Sequence, residues 1–332
     1  MILKKLNFIV FFCFLLFRFP VYSKVKISDS DTIRLNKNFH FIDLKTETYY
    51  FSEKDMPLEK VLLKNFKPRD SLYFSYATGW IWVKFIIKNE SLKNTFILSA
   101  TASQIAGYYL YKPESNGYVL TPPKINHPED GREINSNIPS FYISLKKGEV
   151  KTFFMKVRVE EEVFRCNYII RDITHFIEFS QINYSILGIY IGVLLIIITI
   201  NIFYSIALKD SLFFIYATYI IGVLMATLAF EGFIWMLTPN TILGYHICYF
   251  ILRFWTDSLL FFTIKLSDVK KYRPKLYKTI CVYLIYHEVI MAVLQLTDFF
   301  NFRLVLAGKW EMVNCMITML LVFIAIISSY KN

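Results

Sequence analysis

Cysteine is scarce in this chain, and that scarcity removes the usual staples of a small exported domain. The five cysteines are Cys13, Cys166, Cys248, Cys281 and Cys315. Only Cys166 lies in the hydrophilic stretch that follows the leader, so no disulfide can close within that stretch. No CxxC pair or Cys/His cluster has zinc-site spacing. Also missing are a Walker-type glycine-rich lysine loop and an HExxH sequence. No nucleophile, base and orienting group can be placed together, so catalysis, a cofactor and a metal all drop out of the expectation. A basic stripe is lacking too. The formal charge of +11 is spread over the leader, the middle and the C-terminal half, whereas nucleic-acid binding needs clustered Lys and Arg.

What the chain has in abundance is apolar side chains. Of its 332 residues, 55% are hydrophobic and 18% aromatic, above the average soluble domain, and the excess sits in the second half. Residues 1–23 read as a signal peptide. Lys4 and Lys5 supply a positive start, Phe8 to Phe17 a short apolar run, and Val21-Tyr22-Ser23 a small-residue cleavage site. Arg18 and Pro20 end that run too early for a spanning helix.

Five later segments are long enough to cross ~30 Å of hydrocarbon. They run approximately over residues 184–208, 212–237, 242–264, 279–296 and 304–327. The connection between the third and fourth carries Lys265, Lys270, Lys271, Arg273, Lys275 and Lys278. A bias of this kind marks a cytoplasmic loop. It agrees with a leader that sends residues 24–182 outside, so two separate signals give one orientation: a multi-pass protein of the bacterial inner membrane, its N-terminal domain outside the cytoplasm.

Residues 24–182 read as an all-β sandwich. Ile81, Val83, Phe85 and Ile87 alternate with Trp82, Lys84, Ile86 and Lys88, the period of a half-buried strand. Asn89-Glu90-Ser91 ends that strand with turn chemistry. Further strand-like runs are Thr95–Leu98, Gly107–Tyr111, Ser140–Leu145, Thr152–Arg158 and Tyr168–Ile170. Strand character is expected to continue to about Phe179. Lys147-Gly148-Glu149 is a turn, and Thr121–Pro139, rich in Pro, Asn, Asp and Gly, a long loop. Many short strands with turns and no helical period point to a sandwich or jelly roll.

The order of these runs carries a resemblance. His40-Phe41-Ile42-Asp43 comes first, then the Trp82–Ser91 strand and turn and Tyr108-Tyr109-Leu110-Tyr111. The runs Phe141–Glu149 and Phe153–Arg158 follow. The second half continues with Gly188-Ile189-Tyr190-Ile191-Gly192, Asn201-Ile202-Phe203, Lys209-Asp210, Tyr216 and Gly232. Over residues 39–328 the chain resembles bacterial seven-transmembrane receptors with diverse intracellular signalling modules, of the kind bearing the second type of extracellular domain. The resemblance implies an exported jelly-roll domain akin to carbohydrate-binding modules, and a receptor-like sensor. It departs from the pattern in reaching only a fifth helix and no output module. That is the form expected of a C-terminally truncated receptor, or of one whose remaining parts lie on another chain.

Two groups of residues stand out. Trp80 and Trp82 share one face of their strand with Lys84, opposite the Ile81/Val83/Phe85 row. An exposed aromatic pair stacks on a sugar ring, whereas a sheet buried on both faces puts Trp82 in the core. The polar Asn126–Asn137 loop is a candidate cover for that face. In the membrane half, Arg253 and Asp257 lie four apart on the third helix and Glu288, beside His287, midway along the fourth. Intramembrane charges point to function, although Arg253 and Asp257 also neutralise each other at i, i+4. Gly188 and Gly192 permit close helix contact. The function these features favour is a sensor. Its partners are a small-molecule or carbohydrate ligand outside, membrane lipid, and a cytoplasmic or membrane signalling protein. A tethered, non-signalling binding module ranks second. A transporter or channel using Asp257 and Glu288 ranks third, since the helices show no internal repeat.

Overall fold

The computed structural model describes residues 32–44, 47–69, 72–101, 107–121, 133–134, 136–238, 241–299 and 305–330. The leader, Cys13 and most of the Thr121–Pro139 loop lie outside the described residues. Among the described residues, eleven strands come first. They are β1 (Thr32–Leu35), β2 (Phe41–Leu44), β3 (Glu47–Ser52), β4 (Lys67–Arg69), β5 (Leu72–Asn89), β6 (Thr95–Ala100), β7 (Gly107–Glu114), β8 (Gly117–Thr121), β9 (Ser140–Ser144), β10 (Val150–Cys166) and β11 (Tyr168–Asp172). A short helix, α1 (Leu58–Val61), joins β3 to β4.

The strands form two sheets. One runs β4-β3-β5-β10-β7-β8, with β1 alongside β5 in parallel; the other runs β2-β11-β6-β9. The long antiparallel pair β5 and β10 sets the register, with Phe85 opposite Phe153, Val83 opposite Met155 and Ile81 opposite Val157. Those side chains face the second sheet and meet Phe96, Leu98, Phe141, Ile143, Tyr168 and Ile170 in one core. The alternation along Ile81–Ile87 is thus a sandwich strand, as its period requires. Asn89 ends it and is wholly buried. Its amide donates to the carbonyls of Lys93 at 2.7 Å and Leu145 at 2.8 Å, and its carbonyl accepts from Ser91. A buried Asn that spends both ends of its amide in this way fixes two turns at once.

The opposite face of β5 is not bare. Trp82 packs with Leu58, Val61 and Phe154 in a second core, rimmed by Tyr50, Met56, Phe66, Trp80 and Tyr111. The connection from β3 to β4 therefore covers the middle of the larger sheet from outside.

Strand β11 passes straight into α2 (Ile173–Leu208). The expectation of strand to Phe179 is corrected here: the helix that holds the expected first span, residues 184–208, begins before it. Asp172 takes the N-cap and accepts from the His175 backbone N–H at 2.8 Å, so the helix begins at Ile173. Glu178, Gln181 and Asn183 interrupt the apolar run, which hid this outer stretch of helix from a hydropathy reading.

The second expected span, residues 212–237, is broken into α3 (Ser211–Phe230) and α4 (Phe233–Leu237). Gly232 sits between them at φ +85°, a left-handed conformation that favours glycine. Then come α5 (Thr241–Leu266), α6 (Val269–Tyr272), α7 (Pro274–Phe299) and α8 (Val305–Tyr330). Among the described residues, four helices are long and apolar enough to cross a membrane, and a shorter apolar stretch, Val313–Ile327, lies in α8. Gly188 and Gly192 meet no neighbour that an added Cβ would touch within 4 Å. The close helix contact falls instead at Gly222 of α3, where a Cβ would stand 2.9 Å from the Trp255 backbone.

Candidate functional site

Trp80, Trp82 and Lys84 share a face of β5, but that face does not offer a stacked aromatic pair to solvent. Trp82 is 0% exposed, beneath the α1 cover, so of its two expected roles, sugar platform or core, the platform is corrected and the core reading holds. The covering segment, residues 56–66, is separated from the strand by β4, and no local pattern announces it. Trp80 is half-buried, with the Lys156 ammonium 4.1 Å from its ring centre and the Asp55 carboxylate on that ammonium at 2.5 Å. Lys84 is half-buried, its ammonium 5.9 Å from the Phe66 ring. The described end of the expected covering loop goes elsewhere. Asn137 donates to the Glu231 carbonyl at 2.8 Å and accepts from the Tyr184 hydroxyl at 3.0 Å.

That contact belongs to a junction between sandwich and helices. Asp172 is 1% exposed. One carboxylate oxygen caps α2, and the other accepts from Lys93 at 2.6 Å and lies 3.4 Å from His40. Burial alone raises the Asp172 carboxyl, but the His175 N–H and the Lys93 ammonium outweigh it and hold the group below its ordinary value. Phe41 of β2 stacks on the His175 ring at 5.0 Å, and Arg171 lies 4.1 Å over Phe179. Sequence reading passed over Asp172. An Asp directly before a strand-like run gives a cap signal only when the following segment is read as helix.

Within the bundle the three intramembrane charges come together. Arg253 and Asp257 of α5 and Glu288 of α7 all line one cavity of about 460 Å³. Arg253 Nη1 is 3.8 Å from a Glu288 oxygen. Donor atoms of Asp257, His287 and Glu288 lie within 4.8 Å of one another. Phe214, Phe250, Phe254 and Phe261 supply the cavity's aromatic wall, and Thr218 and Ser258 its hydroxyls. His287 is fully buried and stacks on Tyr283 at 6.1 Å. Tyr283 in turn donates to the Asn314 side chain and sits 3.4 Å from Thr318, both on α8. A polar seam therefore runs through α5, α7 and α8 on the inside of an otherwise apolar bundle.

A comparison with curated proteins finds no match. A family model described as 7TM diverse intracellular signalling matches residues 183–332, the stretch holding the bundle and its polar seam. Over those residues this membrane chain is similar to the 7TM diverse intracellular signalling family.

Proposed function

We propose that the protein is a membrane sensor whose sandwich binds a small ligand outside the cytoplasm and passes the event to the helices through β11 and α2. The carrying observation is the shared Asp172. A strand in the middle of the smaller sheet and the first membrane helix are one continuous segment, pinned by a buried carboxylate. Asn137 adds a second tether, to the outer end of α3. A ligand shifts such an assembly only by binding one arrangement more tightly than another. A segment without a flexible linker lets that difference reach the helices.

The orientation follows from the leader and from Lys265–Lys278 at the inner side, in a bacterial inner membrane. The jelly-roll resemblance makes carbohydrate the first ligand class to test. Trp80, half-buried beside the buried Tyr109 at 6.3 Å, is the partly exposed ring on which a sugar would be sought. The inward signal passes to a cytoplasmic or membrane partner, and the protein itself carries out no reaction.

Reporter fusions at Lys271 and Lys112 test the orientation; signals from the same side would overturn it. Coupling is tested with the full chain in lipid nanodiscs on a glycan array, followed by amide exchange with any glycan retained. Changed protection at Ile173–Ile177 and around Glu231 supports the reading. Retention without change at either place sinks the coupling, and no retention at all sinks the carbohydrate class.

A further inference from the structure

We propose that Asp257, His287 and Glu288 form a site for one divalent transition-metal ion, of the zinc, manganese or ferrous kind, which ties α5 to α7 in the middle of the bundle. The site lies outside the sandwich and does not rest on the reading of its ligand.

The two helices part at this level. Leu260 and Ile264 of α5 pack with Ile280 and Leu284 of α7 in one apolar cluster. One turn further out, Asp257 and Glu288 line the cavity instead. Apolar contact thus gives way to polar side chains at a fork. Among the described residues, Asp257, His287 and Glu288 are a group whose metal-ligand atoms converge, all within 4.8 Å of one another. No sequence spacing announces the group, since its members come from two helices.

The distances favour a shared ion over direct pairing. His287 Nδ1 stands 3.8 Å from Glu288 Oε1, which exceeds a hydrogen bond. Bonds of about 2.0–2.2 Å place neighbouring donors about 3.4 Å apart in a tetrahedral site. Side-chain adjustments of ~1 Å therefore close the ring around an ion. The ligands are also oriented from behind. Arg253 Nη1 lies 3.8 Å from the second Glu288 oxygen, Oε2, so it steers that carboxylate while Oε1 faces His287. His287 is fully buried and stacked on Tyr283, whose hydroxyl is bonded to Asn314. Supporting contacts of this kind fix ligand geometry in metal sites.

The ligand set narrows the ion. One imidazole with two carboxylates suits zinc, iron or manganese, and without a thiolate Cu(I) is disfavoured. Calcium and magnesium prefer oxygen throughout, so a buried imidazole as the third ligand counts against them. Two carboxylates match a 2+ ion, and coordinating a metal is one of the few ways to keep such groups in hydrocarbon. Three protein ligands leave a position for water. The cavity, with the Thr218 and Ser258 hydroxyls on its wall, has room for it.

The test uses the full chain, purified without a histidine tag, held in nanodiscs and stripped with a chelator. Zn²⁺ and Mn²⁺ are titrated by calorimetry, and retained metal is counted by mass spectrometry after dialysis. Uptake of a single ion per chain is expected for at least one of the two, at least roughly tenfold tighter than for Ca²⁺ or Mg²⁺. His287→Ala and Asp257→Asn should each weaken binding at least roughly tenfold, the scale on which even supporting residues act. Cys166→Ser, Cys248→Ser, Cys281→Ser and Cys315→Ser together should leave it unchanged. X-ray absorption of the zinc-loaded wild-type chain reads the ligands directly, which keeps the test sound if a variant fails to fold. Nitrogen and oxygen neighbours at about 2.0–2.2 Å are expected there. No stoichiometric uptake of either metal would overturn the proposal. So would sulfur in the zinc shell, uptake that survives both His287→Ala and Asp257→Asn, or equal affinity for Ca²⁺.

Discussion

The sandwich and the bundle bury opposite things. In the sandwich, the core is phenylalanine, isoleucine, leucine and valine, and the few buried polar groups are knots such as Asn89. In the bundle, large apolar side chains crowd the outside: Ile189 is 71% exposed and Phe203 65%, while Arg253, His287, Asn314 and Thr318 are hidden. Water drives the first arrangement by expelling apolar surface. In lipid that drive is gone, and helices associate through close packing and polar contacts. One chain is thus folded for two solvents, and the same substitution should have very different consequences on either side of Asp172.

The largest effect should come from Trp82→Ala, which empties the second core under α1. A loss of about 3–5 kcal/mol is expected for a buried aromatic truncation, read as a fall in the sandwich's unfolding transition. A loss below about 1 kcal/mol would show that the α1 cover opens freely.

Next is Asp172, where the two regions meet. Asp172→Ala removes both cap and ion pair and should cost about 2–4 kcal/mol. Asp172→Asn keeps a capping acceptor and should cost about half as much. Equal losses would show that the charge contributes nothing. The pH dependence has a definite sign. The folded carboxyl titrates below its ordinary value near 3.8, so its contribution is complete above that value and is lost as pH falls through the folded pKa. Amide protection at Ile173–Ile177 should therefore weaken below about pH 4, and Asp172→Asn should flatten that response.

Asn314→Leu is smaller. It breaks the Tyr283–Asn314 bond inside the bundle, where such bonds are worth about 0.6–1.7 kcal/mol. Smallest is Ile189→Ala on the lipid side, expected to stay within about 0.5 kcal/mol in detergent unfolding. A loss there approaching that of Trp82→Ala would erase the contrast between the two solvents.

How much of this was legible beforehand depended on the range of the interaction. The alternation along Ile81–Ile87 and the turn at Asn89 are local, and both read correctly. The apolar runs gave the membrane helices to within several residues, apart from the break at Gly232 and the early start of α2. Short strands such as β1, β2 and β8 carry too few residues for a period to emerge. The burial of Trp82 was one of two readings open in the sequence, but its cover was out of reach because it comes from residues 56–66, across a separate strand. Arg253, Asp257 and Glu288 were each visible as charges in oily surroundings. Their convergence was not, because it depends on how α5 and α7 are rotated about their axes. Close contact at Gly222 escaped for the same reason: no sequence spacing tells which glycine faces a neighbour.

The length of α2 has a consequence of its own. Its 36 residues make a rod of ~54 Å, of which ~30 Å suffices for the hydrocarbon, so several turns stand proud of the bilayer core with the sandwich seated on the end. Such a rod acts as a drive shaft: sandwich and membrane turns are geared to each other by helical phase. One residue inserted near Ser180 would advance the membrane section by about 100° and 1.5 Å and carry Tyr184 away from Asn137. Seven inserted residues would bring the faces back to within about 20°, at the cost of a longer shaft. Under the proposed sensor reading, coupling should be lost and regained with the turn of the helix.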